Sequence, residues 1–509
     1  MMAIETHLPI LQVVIPLLMA PLCMLIGRAV VSWMLAFLSS ILALAVSIAL
    51  VARTINGAVI SYHIGGWAPP LGIEYRVDAA NAFVLLIISA ISVVVLPYAW
   101  TSVGKEIKRE SHALFYACYL LVFTGLLGVT ITGDAFNVFV FLEISSLSTY
   151  VLVAMGAERD KRALSVAYDY LVMGTIGATF FVIGLGFLYM ATGTLNMVDI
   201  SNRIAEQGTN RTILTAFAFI FVGMGLKLAI YPLHRWLPGA YTYAPSAISA
   251  FLAATATKVA IYVLMRFMFS VFRPQFPFEV ETIYFIVLPF AVLAMFSASI
   301  VAAYQSDLKR LLAHSSIAQI GYILLGISFV TSAGVTASVA HLFNHALTKG
   351  ALFMAVGAIV YQTGSPFLQR MSGLGRQMPW TSAAIVLGGL SLIGIPSTAG
   401  FISKWLLLEA ALEKGWWPVA MLVVASSLIA VIYVWKIVEV LYLQAPPQQA
   451  PVSEAPLSLL VPTWILALAC LYFGLDADFT VKMAETAAQS LIGGGFGADG
   501  ATITGGEGR

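Results

Sequence analysis

The chain has 509 residues, of which 60% are hydrophobic and only 10% are charged. Soluble domains carry roughly 25% charged residues, so the composition excludes an ordinary soluble globular protein. The 26 basic and 24 acidic residues nearly cancel, which leaves no global charge for binding nucleic acid or an acidic partner. The sequence therefore predicts a polytopic membrane protein.

Apolar runs bounded by charge, glycine or proline predict the membrane-spanning helices, because one span needs about 20 apolar residues. The fold class is an all-α polytopic membrane protein with about 14 transmembrane helices. The predicted limits are 8–26, 30–52, 78–101, 113–131, 134–155, 164–190, 212–240, 246–269, 282–304, 308–330, 334–361, 380–412, 417–443 and 457–474.

The seventh and twelfth predicted spans are interrupted. The seventh contains Pro232 and Pro238, and the twelfth contains Gly394, Pro396 and Gly400. Proline removes a backbone donor, and the freed carbonyls at membrane depth must contact protein or water. A pair of interrupted spans in corresponding halves indicates inverted repeats and a central transport site.

Two regions outside the spans have distinct patterns. Residues 53–78 alternate apolar and polar side chains around Gly65, Gly66, Pro69 and Pro70, which predicts a small β-hairpin on one membrane face. The chain after Asp476 becomes rich in glycine and is predicted to be a disordered tail.

Lysine and arginine are more frequent in the loops on one side of the membrane, which favours placing both termini outside the cytoplasm.

Several ionisable residues fall in the middle of predicted spans. A charge at the bilayer centre costs at least about 2.5–3.5 kcal/mol, so such residues need partners or water. They are Glu143, Lys227, Lys258, Lys349 and Lys404.

Other charged residues have simpler explanations. Arg266, Glu409 and Lys436 lie nearer helix ends, from which long side chains reach the interface. Asp134 is predicted to be a helix N-cap, and Asp307, Lys309 and Arg310 are predicted to form an interfacial charge cluster.

His341, His345 and Lys349 are spaced four residues apart, so they share one face of the eleventh span. Imidazole titrates close to neutrality, and a carboxylate such as Glu143 can change the proton affinity of a nearby lysine. A series of lysines and histidines across the membrane is suited to proton transfer. Each residue also has a structural interpretation, as a satisfied core histidine or as half of a buried ion pair.

No cofactor or metal is predicted. The sequence lacks a phosphate-binding P-loop, a dinucleotide-binding glycine motif and a C-x-x-C pair. The three cysteines, Cys23, Cys118 and Cys470, lie in separate apolar stretches, which excludes a disulfide scaffold and a thiolate cluster.

Five longer motifs resemble a known family. They are GLKLAIYPLHRWLP at 225–238, APSAIS at 244–249, SDLKRLLAHSSIAQIG at 306–321, HLFNHALTKG at 341–350 and AGFISKW at 399–405. They are similar to the antiporter-like family, which comprises proton-pumping membrane subunits of respiratory complex I, related membrane hydrogenase subunits and Mrp-type multisubunit cation/proton antiporters. The resemblance extends over about residues 75–445.

The resemblance implies two inverted five-helix repeats, helices 4–8 and 9–13, with helices 7 and 12 broken. It divides the chain into residues 1–110 (helices 1–3 with the hairpin), 111–270 (first repeat), 281–443 (second repeat) and 444–509 (helix 14 and tail). It also implies proton transfer by a carboxylate–lysine pair, a helix-8 lysine, a helix-11 relay and an exit lysine. By the resemblance, the carboxylate–lysine pair is Glu143 with Lys227, and the helix-8 lysine is Lys258. The helix-11 relay is formed by His341, His345 and Lys349, and the exit lysine is Lys404. Gly239 departs from the family, which usually has an acidic residue there.

Within the family, the motif TGDAFNVFVFLE at 132–143 together with Lys404 resembles the D-type subunit of Mrp antiporters. The predicted function is a proton-translocating subunit of a multisubunit Na⁺/H⁺ antiporter in the cell membrane, with the other subunits as partners. The alternative is a proton-pumping subunit of an NADH-quinone oxidoreductase or membrane-bound hydrogenase. A self-sufficient transporter of another fold and a purely structural membrane subunit also remain open.

Overall fold

The structure is a computed structural model that describes residues 6–208, 210–273, 277–445 and 452–493. Thirteen of its helices are long and apolar enough to cross a membrane, and a further pair of shorter helices lies end to end in the sequence. We number these segments as spans 1 to 14 in chain order. The predicted number of spans and the all-helical membrane fold are confirmed for the described residues.

The spans follow the predicted limits to within a few residues, except where span 7 ends early. Spans 1 to 7 are Leu8–Ile26, Ala29–Thr54, Ala79–Glu106, Arg109–Ile131, Ala135–Glu158, Arg162–Thr192 and Arg211–Leu228. Spans 8 to 14 are Ser246–Val271, Val280–Tyr304, Leu308–Ser328, Ser332–Thr363, Pro379–Ile393 with Ala399–Glu413, Trp417–Leu443 and Leu457–Leu475.

Burial separates a central group of spans from a peripheral group. Spans 8 and 10 are buried almost throughout, and span 11 is buried completely over its most apolar stretch. Spans 1, 6, 9, 13 and 14 instead expose many large apolar side chains, as expected where a helix faces lipid. The predicted histidine–lysine series of span 11 therefore lies in the centre of the molecule.

Spans 7 and 12 are broken where the sequence predicts. Span 7 ends at Leu228, Ala229 adopts a left-handed conformation with φ 62°, and a short helix begins at Trp236. Span 12 is interrupted at Gly394, with φ 89°, and resumes at Ala399. Each break falls in the fourth helix of a predicted five-helix repeat, although the division into inverted repeats stays a prediction.

Span 8 has a third interruption, which was not predicted from the sequence. Its α-helical parts are Ser246–Ala254 and Ala256–Met265, and Thr255 between them has φ −126° and ψ −56°. The span then ends in a π-helical segment, Arg266–Val271. No proline or glycine marks this kink, so the sequence gives no local signal for it.

The predicted β-hairpin is confirmed. Strands β1 (Ile60–His63) and β2 (Glu74–Val77) pair antiparallel, with Ile60 opposite Val77 and His63 opposite Glu74. The turn that precedes span 5, the start of helix Met197–Gln207 and the end of span 8 lie on the same side of the membrane as this hairpin, because they surround one cavity or pair with its strands. We call this side the hairpin face.

Besides the short helices Trp236–Tyr243 and Leu374–Gln377, two longer helices lie outside the spans. Met197–Gln207 lies between spans 6 and 7, and Asp478–Ile492 follows span 14. The prediction of a disordered tail after Asp476 is wrong for residues 478–492, because Met483, Ala487 and Leu491 give this helix a buried apolar face. It packs against spans 3 and 11. The glycine-rich remainder, residues 494–509, lies outside the described residues.

Candidate functional site

Glu143 and Lys227 form an ion pair between spans 5 and 7. The Lys227 Nζ lies 3.2 Å from the Glu143 Oε1 and donates a second hydrogen bond of 2.7 Å to the Ser146 Oγ. The Lys227 side chain is 7% exposed and that of Glu143 25% exposed, so the carboxylate is the outer member of the pair. The predicted pairing of these two residues is present in the structure.

The break in span 7 positions Lys227. The lysine lies in the last turn of helix Arg211–Leu228, where the negative end of the helix dipole favours a cation. The carbonyls released by the break find new donors: the Trp236 Nε1 donates to the Leu226 oxygen at 2.8 Å, and the Ile230 N–H donates to Gly225 at 2.9 Å. The irregular backbone is thus internally satisfied, as membrane depth requires.

Lys258 is almost completely buried, just after the kink in span 8. Its ammonium donates to the Ala253 carbonyl, and the Thr257 hydroxyl lies 3.5 Å from it. It lies within electrostatic range of His341, His345 and Lys349. Among the described residues, no direct hydrogen bond joins Lys258 to Lys227.

His341 is hydrogen-bonded through both ring nitrogens. Its Nε2 lies 2.9 Å from the Gln319 Oε1, which fixes Nε2 as the donor, and its Nδ1 lies 2.8 Å from the Ser403 Oγ. The Ser403 hydroxyl also lies 3.4 Å from the Gly400 carbonyl. Neutral His341 can therefore accept from Ser403, and protonated His341 can donate to Ser403 while this hydroxyl turns to Gly400.

His345 lies one helical turn further on, with its ring 6.2 Å from that of His341. It is buried, and neither ring nitrogen has a partner among the described residues. The adjacent Asn344 donates to the Ala399 carbonyl at 2.6 Å, whereas its Oδ1 has no partner there. Unpartnered buried polar atoms are rare, so this position in span 11 is unusual.

Lys349 is fully buried and reaches across to span 10. It donates to the Leu312 carbonyl at 2.9 Å and to the Ser315 hydroxyl. Together with His341 and His345 it occupies one side of span 11, as the spacing predicts.

Lys404 lies at the break in span 12. It donates to the carbonyls of Leu392 at 3.1 Å and Ile393 at 2.8 Å, which end helix Pro379–Ile393, and to the Ser427 Oγ at 3.1 Å. The Tyr322 ring connects it to the span 11 series. Its centroid lies 4.6 Å from the Lys404 Nζ and 5.7 Å from the His341 ring.

The structure thus brings most of the predicted residues together. Lys258, His341, His345, Lys349 and Lys404 form one buried group among spans 8 and 10 to 12, and the Glu143–Lys227 pair lies apart from it. Gln319, Ser403 and Tyr322 join this group, although the sequence analysis did not single them out. The sequence signal that could have identified these three residues is a polar side chain in the middle of an apolar span.

Of two predictions about charged residues, the first stays a prediction and the second is wrong. Lys309, predicted to lie in an interfacial cluster, is buried at the start of span 10 with its Nζ 3.3 Å from the Ala244 carbonyl, and the charges of Asp307, Glu106 and Arg159 act on it. Arg266 was expected to reach the interface, but it forms a buried ion pair with Asp78. The prediction for Asp134 is confirmed, since its carboxylate accepts the Asn137 N–H at 2.7 Å as an N-cap.

Comparison with known proteins identifies the family. The family model described as "NADH:quinone oxidoreductase/Mrp antiporter, TM" matches residues 132–430, more than half of the chain. The chain belongs to this family. The matched region includes all seven predicted site residues and confirms the resemblance seen in the motifs.

Relatives of both kinds are similar over almost the whole chain. The N-type subunit of the NADH-quinone oxidoreductase of Desulforudis audaxviator is 38% identical over 485 residues, covering 92% of this chain and 96% of the relative. The D-type subunit of the Na(+)/H(+) antiporter of Bacillus subtilis is 30% identical over 485 residues, covering 95% and 97%. A chain of the Mrp complex from Dietzia sp. DQ12-45-1b has a TM-score of 0.88 at 26% identity, covering 96% and 98%. These likenesses support membership of the antiporter and oxidoreductase family without separating its two branches.

Proposed function

We propose that the chain is the D-type, proton-translocating subunit of a multisubunit Na⁺/H⁺ antiporter. Its fold is similar to a chain of a solved Mrp complex, and its sequence is similar to a D-type antiporter subunit. In this proposal the chain works with the other subunits of the complex and moves protons along its buried lysines and histidines.

One observation carries the proton-transfer part of the proposal: each of the four lysines on the proposed route contacts a hydroxyl group. Lys227 contacts Ser146, Lys258 contacts Thr257, Lys349 contacts Ser315 and Lys404 contacts Ser427. A hydroxyl accepts from an ammonium group and donates to a neutral amine. Both protonation states of each lysine are therefore hydrogen-bonded, which suits a group that gains and loses a proton.

The Glu143–Lys227 pair is the proposed control point. A carboxylate that moves towards a lysine favours the charged form of that lysine. A carboxylate that moves away favours release of the lysine's proton. Because Glu143 is the more exposed member, a change at the surface of span 5 reaches this residue first. A neighbouring subunit that shifts Glu143 would thereby change the proton affinity of Lys227.

The proposed route runs from Lys227 to Lys258, then along His341, His345 and Lys349, and out through Lys404. The unpartnered nitrogens of His345 require a donor or acceptor, and a buried water molecule with two or more polar partners supplies one. Water between Lys227 and Lys258 completes the series in this proposal.

Replacement of Lys227 tests the proposal in inverted membrane vesicles that contain the assembled complex. We expect Lys227→Ala to slow Na⁺-dependent proton movement by about 100-fold or more, since a positioned proton-transfer group contributes at least this much. The matched control is Lys436→Ala: Lys436 also lies in a span, but within the described part of the chain its hydrogen bonds go to the carbonyls of Ala303 and Gln305 at the end of span 9. Full transport by an assembled Lys227→Ala complex would refute the assignment.

A second candidate is a proton-pumping subunit of an NADH-quinone oxidoreductase complex. The 38% identity to an N-type oxidoreductase subunit favours this candidate. Purification of the native complex separates the two. The antiporter proposal expects companion subunits without redox cofactors and a proton flux that starts when Na⁺ is added. Copurifying flavin or iron–sulfur subunits, with proton movement driven by NADH and quinone, would establish the second candidate instead.

A further inference from the structure

A cavity of about 380 Å³ opens at the hairpin face. The β-hairpin, the start of span 3, the end of span 8 and the helix Asp478–Ile492 contribute to its walls. Its lining includes Arg76, Asp78, Asn81, Arg266 and Thr486. Apolar side chains such as Met197 and Phe269 line it as well. The cavity thus has polar groups in its wall and is wide enough to hold several water molecules.

A buried ion pair lies among these lining residues. The Arg266 Nη1 lies 2.7 Å from the Asp78 Oδ2, and the Nη2 lies 2.8 Å from the Oδ1, so the two groups make a bidentate contact. Their side chains are 13% and 7% exposed. Asp78 also caps span 3 by accepting the N–H groups of Ala80 and Asn81 at 3.0 and 3.2 Å.

Asp78 is held in its charged form. Burial by itself raises the pKa of this carboxyl, but the charge of Arg266, together with the hydrogen bonds from Arg266, Asn81 and Ala80, lowers the pKa below its usual value. The ion pair therefore persists at neutral pH and keeps a guanidinium fixed beside the cavity.

Arg266 also connects the cavity to the interior. Its Nε donates to the Tyr262 hydroxyl at 3.2 Å, and this hydroxyl donates to the Thr130 carbonyl at 3.2 Å. Lys258, Tyr262 and Arg266 follow one another at intervals of four residues along one side of span 8. Each interval is about 6 Å along the helix. Tyr262 also lines the cavity, so the fully buried Lys258 lies about one turn beyond the nearest cavity-lining residue of span 8.

We propose that this cavity is an aqueous vestibule leading from the hairpin face towards Lys258, and that the Arg266–Asp78 ion pair closes its floor. Closed, the contacts of the guanidinium with Asp78 and Tyr262 exclude water. Opening breaks the bidentate contact, frees the Asp78 carboxylate and lets water pass Tyr262. The proposal rests on the proposed function only in taking Lys258 as a proton carrier.

The π-helical segment is the structural feature that would permit opening. It begins at Arg266, where the α-helix of span 8 ends. Such segments have one extra residue per turn and are frequent at functional sites. Conversion of this segment to an α-helix would rotate Arg266 relative to Asp78, which is fixed at the start of span 3.

Cysteine labelling tests the vestibule without any measurement of transport. The assembled complex is placed in sealed vesicles of both orientations, with Cys23, Cys118 and Cys470 replaced by alanine. A membrane-impermeant, charged thiol reagent is then added from one side. Thr486→Cys reports the cavity wall, Lys258→Cys reports the site below the floor, and Lys349→Cys is a matched control for a buried lysine elsewhere.

We expect Thr486→Cys to react from the hairpin face whether or not Arg266 is present. Lys258→Cys should react from that face at least about tenfold faster when combined with Arg266→Ala, because loss of the guanidinium shifts the floor to its open state. Lys349→Cys should not change. Arg266→Lys, which keeps the charge but cannot make the bidentate contact, should give an intermediate rate and serves as the test if Arg266→Ala does not assemble.

Two results would overturn the proposal. In one, Lys258→Cys stays equally unreactive with and without Arg266 while Thr486→Cys reacts. This result would mean that the ion pair only holds span 3 against span 8. In the other, Lys258→Cys reacts only from the opposite face. Because labelling requires no ion flux, these results are independent of whether Lys227→Ala abolishes transport.

Discussion

At the scale of single residues, the partners of the buried lysines separate two kinds of site. Lys227 has a carboxylate within 3.2 Å, whereas the contacts of Lys258, Lys349 and Lys404 are carbonyl and hydroxyl groups. A carboxylate carries a charge whose distance from the lysine can change, whereas carbonyl and hydroxyl groups are neutral. This difference supports a role for Lys227 in control and for the other lysines in transfer.

Ser427 provides a test of the role proposed for the hydroxyl groups. Ser427→Ala removes the group that can donate to neutral Lys404, so we expect proton flux to fall by about tenfold, the cost of one lost hydrogen bond of 1–1.5 kcal/mol. Ser427→Thr keeps the hydroxyl and should retain most of the flux. Equal flux in both variants, measured in vesicles with equal amounts of assembled complex, would show that the carbonyls of Leu392 and Ile393 suffice.

At the scale of elements, the broken spans place lysines at helix ends in the interior of the membrane. Lys227 lies in the last turn before the break in span 7, and Lys404 reaches back to the last carbonyls before the break in span 12. Both ammonium groups thus lie at the carboxyl ends of half-helices, where the helix dipole stabilises positive charge. The two ammonium groups therefore have similar electrostatic environments, although Lys227 precedes its break in the chain and Lys404 follows its break and reaches back to it.

Gly394 tests the break in span 12. Gly394→Ala places a Cβ 2.9 Å from the Lys404 Cδ in a residue with φ 89°, so it both strains the backbone and displaces the lysine. We expect a loss of about 1–2 kcal/mol in stability together with a reduced proton flux. Thermal denaturation and vesicle transport measure the two effects.

The control for this variant is Gly364→Ala. Gly364 has φ 72°, but no atom lies within 4 Å of an added Cβ. It should show a similar loss of stability with normal flux. Normal flux in Gly394→Ala as well would mean that the position of Lys404 tolerates displacement.

At the scale of the whole molecule, the described chain has its polar series in a buried centre and many apolar side chains at the surface. Span 11 carries the series and is enclosed by spans 8, 10, 12 and 14 and by the helix Asp478–Ile492. That helix places Phe479 6.2 Å from Phe83 of span 3 and 6.4 Å from Phe473 of span 14. It therefore completes the packing around the centre.

Replacement of a buried alanine in this helix tests its contribution. Ala487 is completely buried, so Ala487→Leu should separate the helix from its neighbours and cost about 1–3 kcal/mol. Glu485→Leu, on the exposed side of the same helix, should change the stability little. Thermal denaturation of the purified complex measures both variants, and equal midpoints would show that the helix is not part of the packed core.

Much of the fold followed from the sequence because membrane insertion depends on local composition. The limits of the single-helix spans, the breaks at Pro232 and Gly394 and the β-hairpin were predictable from runs of residues alone. The helix Asp478–Ile492 was missed because its apolar face is short and adjoins a glycine-rich stretch. The kink at Thr255 has no proline or glycine to announce it.

The sequence by itself determined that the chain crosses the membrane about fourteen times and which ionisable groups lie at mid-depth, since both depend on the order of apolar and charged residues. Apart from the Glu143–Lys227 pair, which the family resemblance implies, only the tertiary structure decided the partners of the ionisable groups. It pairs Asp78 with Arg266 across 188 positions and His341 with Gln319 and Ser403 from two other spans. Such contacts depend on how helices pack in three dimensions, and no local pattern in the chain encodes which helices become neighbours.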